Sequence, residues 1–226
     1  MAAASLSIGD PNVFKKGLGH LKRGDPLLAT LIERHGVLSF SPEGEMFQSL
    51  VESILTQQLA WSAASAIIGR VKNLYPGGMI EPAALYSTPI LKLKKAGVSP
   101  QKVRYLKDLS RRVAKGRLDL EALKDKEDEV LLEALDEVLG IGPWTIHMLQ
   151  IFTLGRPDIL PVDDLGIRKA IQSIYSLPEI PKKEEIEKIA ENWHPYCSIA
   201  SLYLWRHKDT GDEKEEKLKI PAKKKA

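Results

Sequence analysis

Two stretches carry residues whose types and spacing suit chemistry. The first reads Gly140-Ile141-Gly142-Pro143-Trp144-Thr145. Glycine at 140 and 142 permits a turn with positive φ and leaves backbone N–H groups uncovered. A helix opening directly after the turn adds its own unpaired N–H groups and the positive end of its dipole. Together these make an anion site that needs no side chain, and a phosphate diester fits it. Such a contact positions a strand without reading it. Taken alone, the same residues are explained equally well by a plain helix corner in which glycine only allows close packing. The second stretch is Asp163-Asp164, after Pro161 and ahead of a helical run. A lone carboxylate at a helix start is by default a cap. With two in a row, one can cap while the other faces a cleft.

Helices must position both stretches. Asp25-Pro26 starts one that runs to about residue 34, and Ser41-Pro42-Glu43 signals another start. Phe47, Leu50, Val51, Ile54 and Leu55 follow the helical period, as do Ala63, Ala64, Ile67, Ile68, Val71 and Leu74. Thr88-Pro89 and Ser99-Pro100 start two more, stopped by Gly97 and Gly116. Further helices are expected over residues 125–139, 144–154, 164–175, 181–193 and 195–207. No alternating stretch is long enough for a strand. The class is all-α, with about ten helices of ordinary length. Residues 1–24 are expected to pack on the surface, 25–207 to form the helical domain, and 208–226 to be a charged, mobile tail.

Composition narrows the function. The chain has 226 residues, 43% of them hydrophobic, which suffices for one large domain or two lobes sharing a cleft. Net charge is only +3, but ten Lys and Arg side chains lie between Lys92 and Arg117. Such clustering suits nucleic acid, although a solvated helix face is the commoner reason for it. The single cysteine, Cys197, excludes a disulfide within the chain and any Cys-held zinc or iron–sulfur cluster. No apolar run reaches about 20 residues, so no membrane span is expected. The first residues lack a charged region followed by an apolar core, so no secretory signal is expected either.

The order of motifs resembles the helix-hairpin-helix–Gly/Pro…Asp (HhH-GPD) superfamily of DNA glycosylases, in its alkylbase (3-methyladenine) branch and compact form. The likeness rests on Gly140-Ile141-Gly142-Pro143-Trp144-Thr145 and on Leu160-Pro161-Val162-Asp163-Asp164-Leu165-Gly166-Ile167-Arg168. It extends to Gln57-Gln58-Leu59 before an Ala-rich helix, and to Trp193-His194-Pro195-Tyr196 before the last helix. The combination spans roughly residues 25–207 and is specific where each piece is modest.

The resemblance implies a two-lobed helical bundle with the active site in the cleft between lobes. Asp164 is the implied catalytic acid, which leaves Asp163 as the cap. Gly140, Gly142 and Thr145 are implied at the DNA phosphate. The backbone carbonyls of Asp136, Val138 and Ile141 are implied to hold Na+ or K+ when DNA is bound. Leu59, with Gln58 beside it, is the implied wedge, and Trp144, Tyr196 and Met148 the wall of the base pocket. Met148 stands where some relatives carry an aromatic. No lysine stands at 144, so no Schiff base forms there and the implied activity is monofunctional. Catalysis is expected to need no cofactor.

The expected function is therefore excision of alkylated bases such as 3-methyladenine in base excision repair. The expected partner is double-stranded DNA containing such bases, and the protein is expected to act as a monomer, without a membrane. Its expected place is the cytoplasm and nucleoid of a prokaryote or the nucleus of a eukaryote. Two alternatives remain: a glycosylase of the same fold for uracil or mismatched bases, and a non-catalytic DNA-binding protein built on the hairpin.

Overall fold

The computed structural model describes residues 6–210, and of Trp61 the backbone alone. Thirteen α-helices are present among the described residues, and no strand. They are α1 (Pro11–Gly24), α2 (Pro26–His35), α3 (Met46–Thr56), α4 (Trp61–Lys72), α5 (Pro82–Ser87), α6 (Ile90–Lys95) and α7 (Pro100–Ala114). Then follow α8 (Leu120–Leu123), α9 (Asp128–Asp136), α10 (Pro143–Phe152), α11 (Leu165–Ile174), α12 (Lys183–Ala190) and α13 (Cys197–Asp209). None is long and apolar enough to cross a membrane.

Three starts share one local cause. Asp10 accepts from the Asn12 N–H, Asp25 from those of Leu27 and Leu28, and Ser99 from that of Lys102. Each acceptor stands directly before a proline. The cap satisfies an orphan donor, and proline at the first turn gives up an N–H that has no partner there.

Several boundaries differ from the sequence expectation. Residues 11–24 form a helix and do more than coat the surface, since Phe14, Leu18 and Leu21 recur on one face and are buried. The Ser41-Pro42 signal starts nothing. Gly44, at φ +94°, breaks the chain there, and α3 begins at Met46. Pro42 packs instead where a Cβ on Gly9 or Gly155 would lie 2.5 Å away. The helix expected over 125–139 ends at Asp136, because the Leu139 N–H donates to the Asp108 carboxylate at 3.1 Å. The last helix runs on to Asp209, two residues into the expected tail, and the tail from 211 lies outside the described residues.

The chain divides into two compact units. One comprises Glu43–Leu149, and the other the residues up to Pro42 together with those from Gln150 onward. In the first, Leu50, Val51, Ile54 and Leu55 of α3 and Val103, Leu106 and Leu109 of α7 are buried. Each contributes about 1.5–3 kcal/mol on leaving water. In the second, Asp25 is a polar hub. Besides capping α2, it accepts from the Trp193 indole at 2.9 Å and from the Tyr175 hydroxyl. Burial, and then the charge of Asp25, push the Tyr175 hydroxyl up, so it stays a donor.

Candidate functional site

In the unit Glu43–Leu149 the hairpin occupies residues 137–142 between α9 and α10. Gly140 takes φ +80°, which favours glycine. A Cβ there would also lie 2.1–2.5 Å from ring atoms of Tyr105. Gly142 departs from expectation. Its φ is not positive, and a Cβ on it would meet nothing within 4 Å. It precedes Pro143, which confines it to extended backbone. What glycine gives there is open space for a ligand to approach the main chain. The Gly142 carbonyl accepts from the Ile146 N–H at 3.1 Å, closing the first turn of α10.

Side chains far away in sequence hold the hairpin. The Gln57 amide donates to the Gly140 carbonyl at 2.7 Å. The Asp108 carboxylate accepts from Leu139 N–H, from Arg111 at 2.7 Å and from Arg112 at 3.0 Å. Burial pushes that carboxyl up, but Arg111, the Leu139 N–H and Arg112 outweigh it and hold it below its ordinary range. Tyr105 and Asp108 were not legible as supports in the sequence, because neither lies near 140 in the chain. Asp136, Val138 and Ile141, the implied carbonyl ligands, fall at the end of α9 and in the turn. The Val138 carbonyl accepts from the Ile141 N–H at 3.1 Å. A carbonyl oxygen has a second lone pair, so this bond is compatible with a cation there.

The implied wedge stands close to the hairpin in bonding terms. Gln57 touches Gly140 while the next two residues form a turn closed by Leu59 N–H to the Thr56 carbonyl at 3.1 Å. Gln58 takes φ +56°, rare for a residue with a side chain, and such strain gathers at functional sites. Leu59 is 41% exposed, a large apolar side chain offered to solvent. The Lys102 ammonium donates to the Leu55 carbonyl at 2.7 Å and so ties down the end of α3 behind that turn.

On α10, Trp144 and Met148 are four residues apart and share a face; Trp144 is 42% exposed. Thr145 is buried. The basic cluster is partly spent inside the unit. Lys107 donates to the carbonyls of Leu85, Tyr86 and Thr88, and Arg111 and Arg112 serve Asp108. Lys92, Lys94, Lys95 and Arg104 remain exposed.

In the other unit, Asp164 is the N-cap of α11. Its Oδ1 accepts from the Ile167 N–H at 2.9 Å and from the Trp205 indole Nε1 at 2.9 Å. The expected division of labour is thus corrected, since the cap is Asp164 itself and Asp163 is exposed. The cap hydrogen bond requires the side chain whose backbone turns into the helix, and the Asp164 N–H already closes on Pro161 at 3.0 Å. Two donors on one oxygen fix the carboxylate's direction. Trp205 thus serves the acid directly. Its ring also lies 5.4 Å from that of Phe152, which braces it. A Cβ on Gly166 would meet Asp164 Oδ1 at 3.0 Å and Lys208 Nζ at 3.3 Å, so glycine keeps the carboxylate's surroundings open.

Tyr196 does not match its implied role. It is 6% exposed, with its ring against Gly17 of α1 and 5.4 Å from the ring of His20. It offers no free face for stacking and packs α13 onto α1.

Comparison with known proteins places these residues in a larger pattern. A family model described as "HhH-GPD superfamily base excision DNA repair protein" matches residues 51–195, which include both hairpin and acid. DNA-3-methyladenine glycosylase 1 of Schizosaccharomyces pombe is 32% identical over 170 residues, covering 74% of this chain and 75% of that protein. A Bacillus subtilis relative is 31% identical, and the chain spans 64% of its length. Among solved structures, the S. pombe 3-methyladenine DNA glycosylase in complex with abasic DNA superposes with a TM-score of 0.77. It shows 30% identity and covers 86% of this chain and 97% of that one. A DNA-3-methyladenine glycosidase from Bacillus halodurans gives 0.80, with 34% identity and coverage of 96% and 98%.

Proposed function

The chain belongs to the HhH-GPD superfamily of base excision DNA repair proteins, and from that membership we propose that it is a monofunctional DNA glycosylase for alkylated bases such as 3-methyladenine. The observation that carries the reading is Asp164, a carboxylate aimed by the Ile167 N–H and the Trp205 indole. Capping alone needs only the bond from the Ile167 N–H; the second donor on the same oxygen, the Trp205 indole, goes beyond it. The names of the similar proteins and the abasic DNA bound to one of them support the same class of substrate.

A base inside a duplex is out of reach, so the nucleotide rotates outward, at a cost lowest for a damaged pair. Leu59, on its strained turn after Gln58, fills the gap, as apolar wedges do in kinked DNA. The Gly140–Gly142 hairpin offers its main-chain N–H groups to a phosphate, and the carbonyls of Asp136, Val138 and Ile141 would hold Na+ or K+, which would supply positive charge for a DNA strand. Trp144 stacks on the cationic base, worth about 0.5–2 kcal/mol. The bond between C1′ and the base nitrogen then breaks, and its electron pair leaves with the base. Alkylation has already made the base a good leaving group, so little acid help is needed. Asp164 stabilises the oxocarbenium-like sugar, orients the water that adds to C1′ and takes the proton which that water loses. Work on DNA puts the protein in the nucleoid of a prokaryote or the nucleus of a eukaryote.

A panel of duplexes tests the specificity. Release of 3-methyladenine, with none of uracil or mismatched thymine, is expected. Release of uracil without alkylated purines would overturn the reading.

A further inference from the structure

Cys197, His194 and Asp158 meet at the start of α13. The His194 Nδ1 lies 2.8 and 3.0 Å from the two Asp158 oxygens and 3.5 Å from the Cys197 sulfur. One ligand atom from each residue falls within 4.8 Å of the others. The sulfur is buried, Asp158 half-buried and the histidine exposed, so the cluster opens to solvent on one side. Three lone-pair-bearing atoms thus converge on a ring nitrogen that carries at most one proton. The ring nitrogen can donate to Asp158, and the thiol can donate to the same carboxylate. A cation at the centre would take the place of those protons.

We propose that Asp158, His194 and Cys197 form a site for a divalent transition-metal ion of the Zn2+ class, distinct from the hairpin and from Asp164. One thiolate, one imidazole and one carboxylate make a borderline-soft donor set, which suits Zn2+ over Mg2+ or Ca2+. For a tetrahedral ion with ordinary bond lengths, the edge from sulfur to nitrogen is about 3.5–3.6 Å, which the observed separation matches. The edge from nitrogen to oxygen is about 3.3 Å, so the exposed imidazole would swing outward by a few tenths of an ångström. Three protein ligands leave the fourth position to water.

The exclusion of Cys-held zinc drawn from the single cysteine holds only for sites built from several cysteines. A mixed set needs only one, and the fold brings the carboxylate from 39 residues away. The consequence reaches the acid's own loop. Asp158 accepts from the Cys197 N–H at 3.2 Å, Ser198 N–H donates to the Pro157 carbonyl at 3.0 Å, and Ile159 N–H to the Ser198 hydroxyl at 2.9 Å. An ion adds a fourth clasp between α13 and the segment that leads, six residues on, to Asp164.

The test uses the full, untagged chain and two ions. Zn2+ is competed against a chromophoric chelator, and Co2+ is followed by its near-ultraviolet thiolate band. One ion per chain is expected, with the band present in the unchanged protein and absent in Cys197→Ser. His194→Gln, at an exposed position, should weaken Zn2+ binding by about tenfold or more, equal to about 1.4 kcal/mol. It also keeps the test valid where Cys197→Ser fails to fold. No bound ion, no thiolate band, or equal affinity in the unchanged chain and His194→Gln would overturn the proposal.

Discussion

Replacing Asp164 by Asn separates structure from chemistry at one atom. Oδ1 serves the Ile167 N–H and the Trp205 indole, both at 2.9 Å. An asparagine keeps that oxygen as an acceptor, and Asn caps helices as well as Asp does. What folding loses is the charge assistance of two hydrogen bonds and the favourable charge at a helix N-terminus, together about 1 kcal/mol. The reaction loses more. An anion beside a forming sugar cation plays the part that an oxyanion-hole donor plays for opposite charge, worth about 3–4 kcal/mol. At 1.36 kcal/mol per decade this is a fall of about 10²–10³ in single-turnover base release. Trp205→Phe should sit between, since one of two aiming bonds goes while the charge stays. The assay is release of 3-methyladenine from methylated duplex under enzyme excess, beside the melting temperature of each variant. The reasoning is refuted if Asp164→Asn stays within about threefold of the unchanged protein, or if its loss of rate merely follows a loss of fold.

The two hairpin glycines should behave differently. Gly140→Ala meets both a positive φ and the Tyr105 ring, so a loss of about 2–4 kcal/mol in urea unfolding is expected. Gly142→Ala enters open space, so stability should hold within about 0.5 kcal/mol while duplex affinity, measured by fluorescence anisotropy, falls. Leu59→Ala should leave melting within a degree or two, by about 0.5 kcal/mol or less, yet slow base release from duplex more than from single strands. Asp108, held below its ordinary range, contributes stability that is fully present above the unfolded carboxyl's pKa. That contribution is lost as pH falls through the folded value, so Asp108→Asn should flatten the acid limb of the stability–pH curve. An unchanged limb would remove Asp108 from this role.

What the sequence made legible depended on how local the cause was. Asp25-Pro26 and Ser99-Pro100 announce their helices because cap and proline act within four residues. Asp10-Pro11 sends the same signal, but the glycines at 17 and 19 and the basic side chains around them hid the stripe of Phe14, Leu18 and Leu21. Ser41-Pro42 misled because Gly44 cancels it. At the site, the glycines and the acid pair could be read from spacing, while their roles could not be divided. Which aspartate caps depends on the turn at Pro161, and which glycine has no room for a side chain depends on Tyr105, 35 residues away. Trp205, Gln57 and Asp108 act across the fold, so no window of sequence holds both partners. Tyr196 looked like a pocket aromatic only because its motif did; burial against α1 is a tertiary fact.

The most direct test of the central claim is product analysis after excess protein meets randomly methylated duplex. The account predicts free 3-methyladenine in solution and an abasic strand that stays uncut until treated with alkali. Tight, salt-sensitive binding with every base still attached would contradict it, and would reduce hairpin and acid alike to a means of holding DNA.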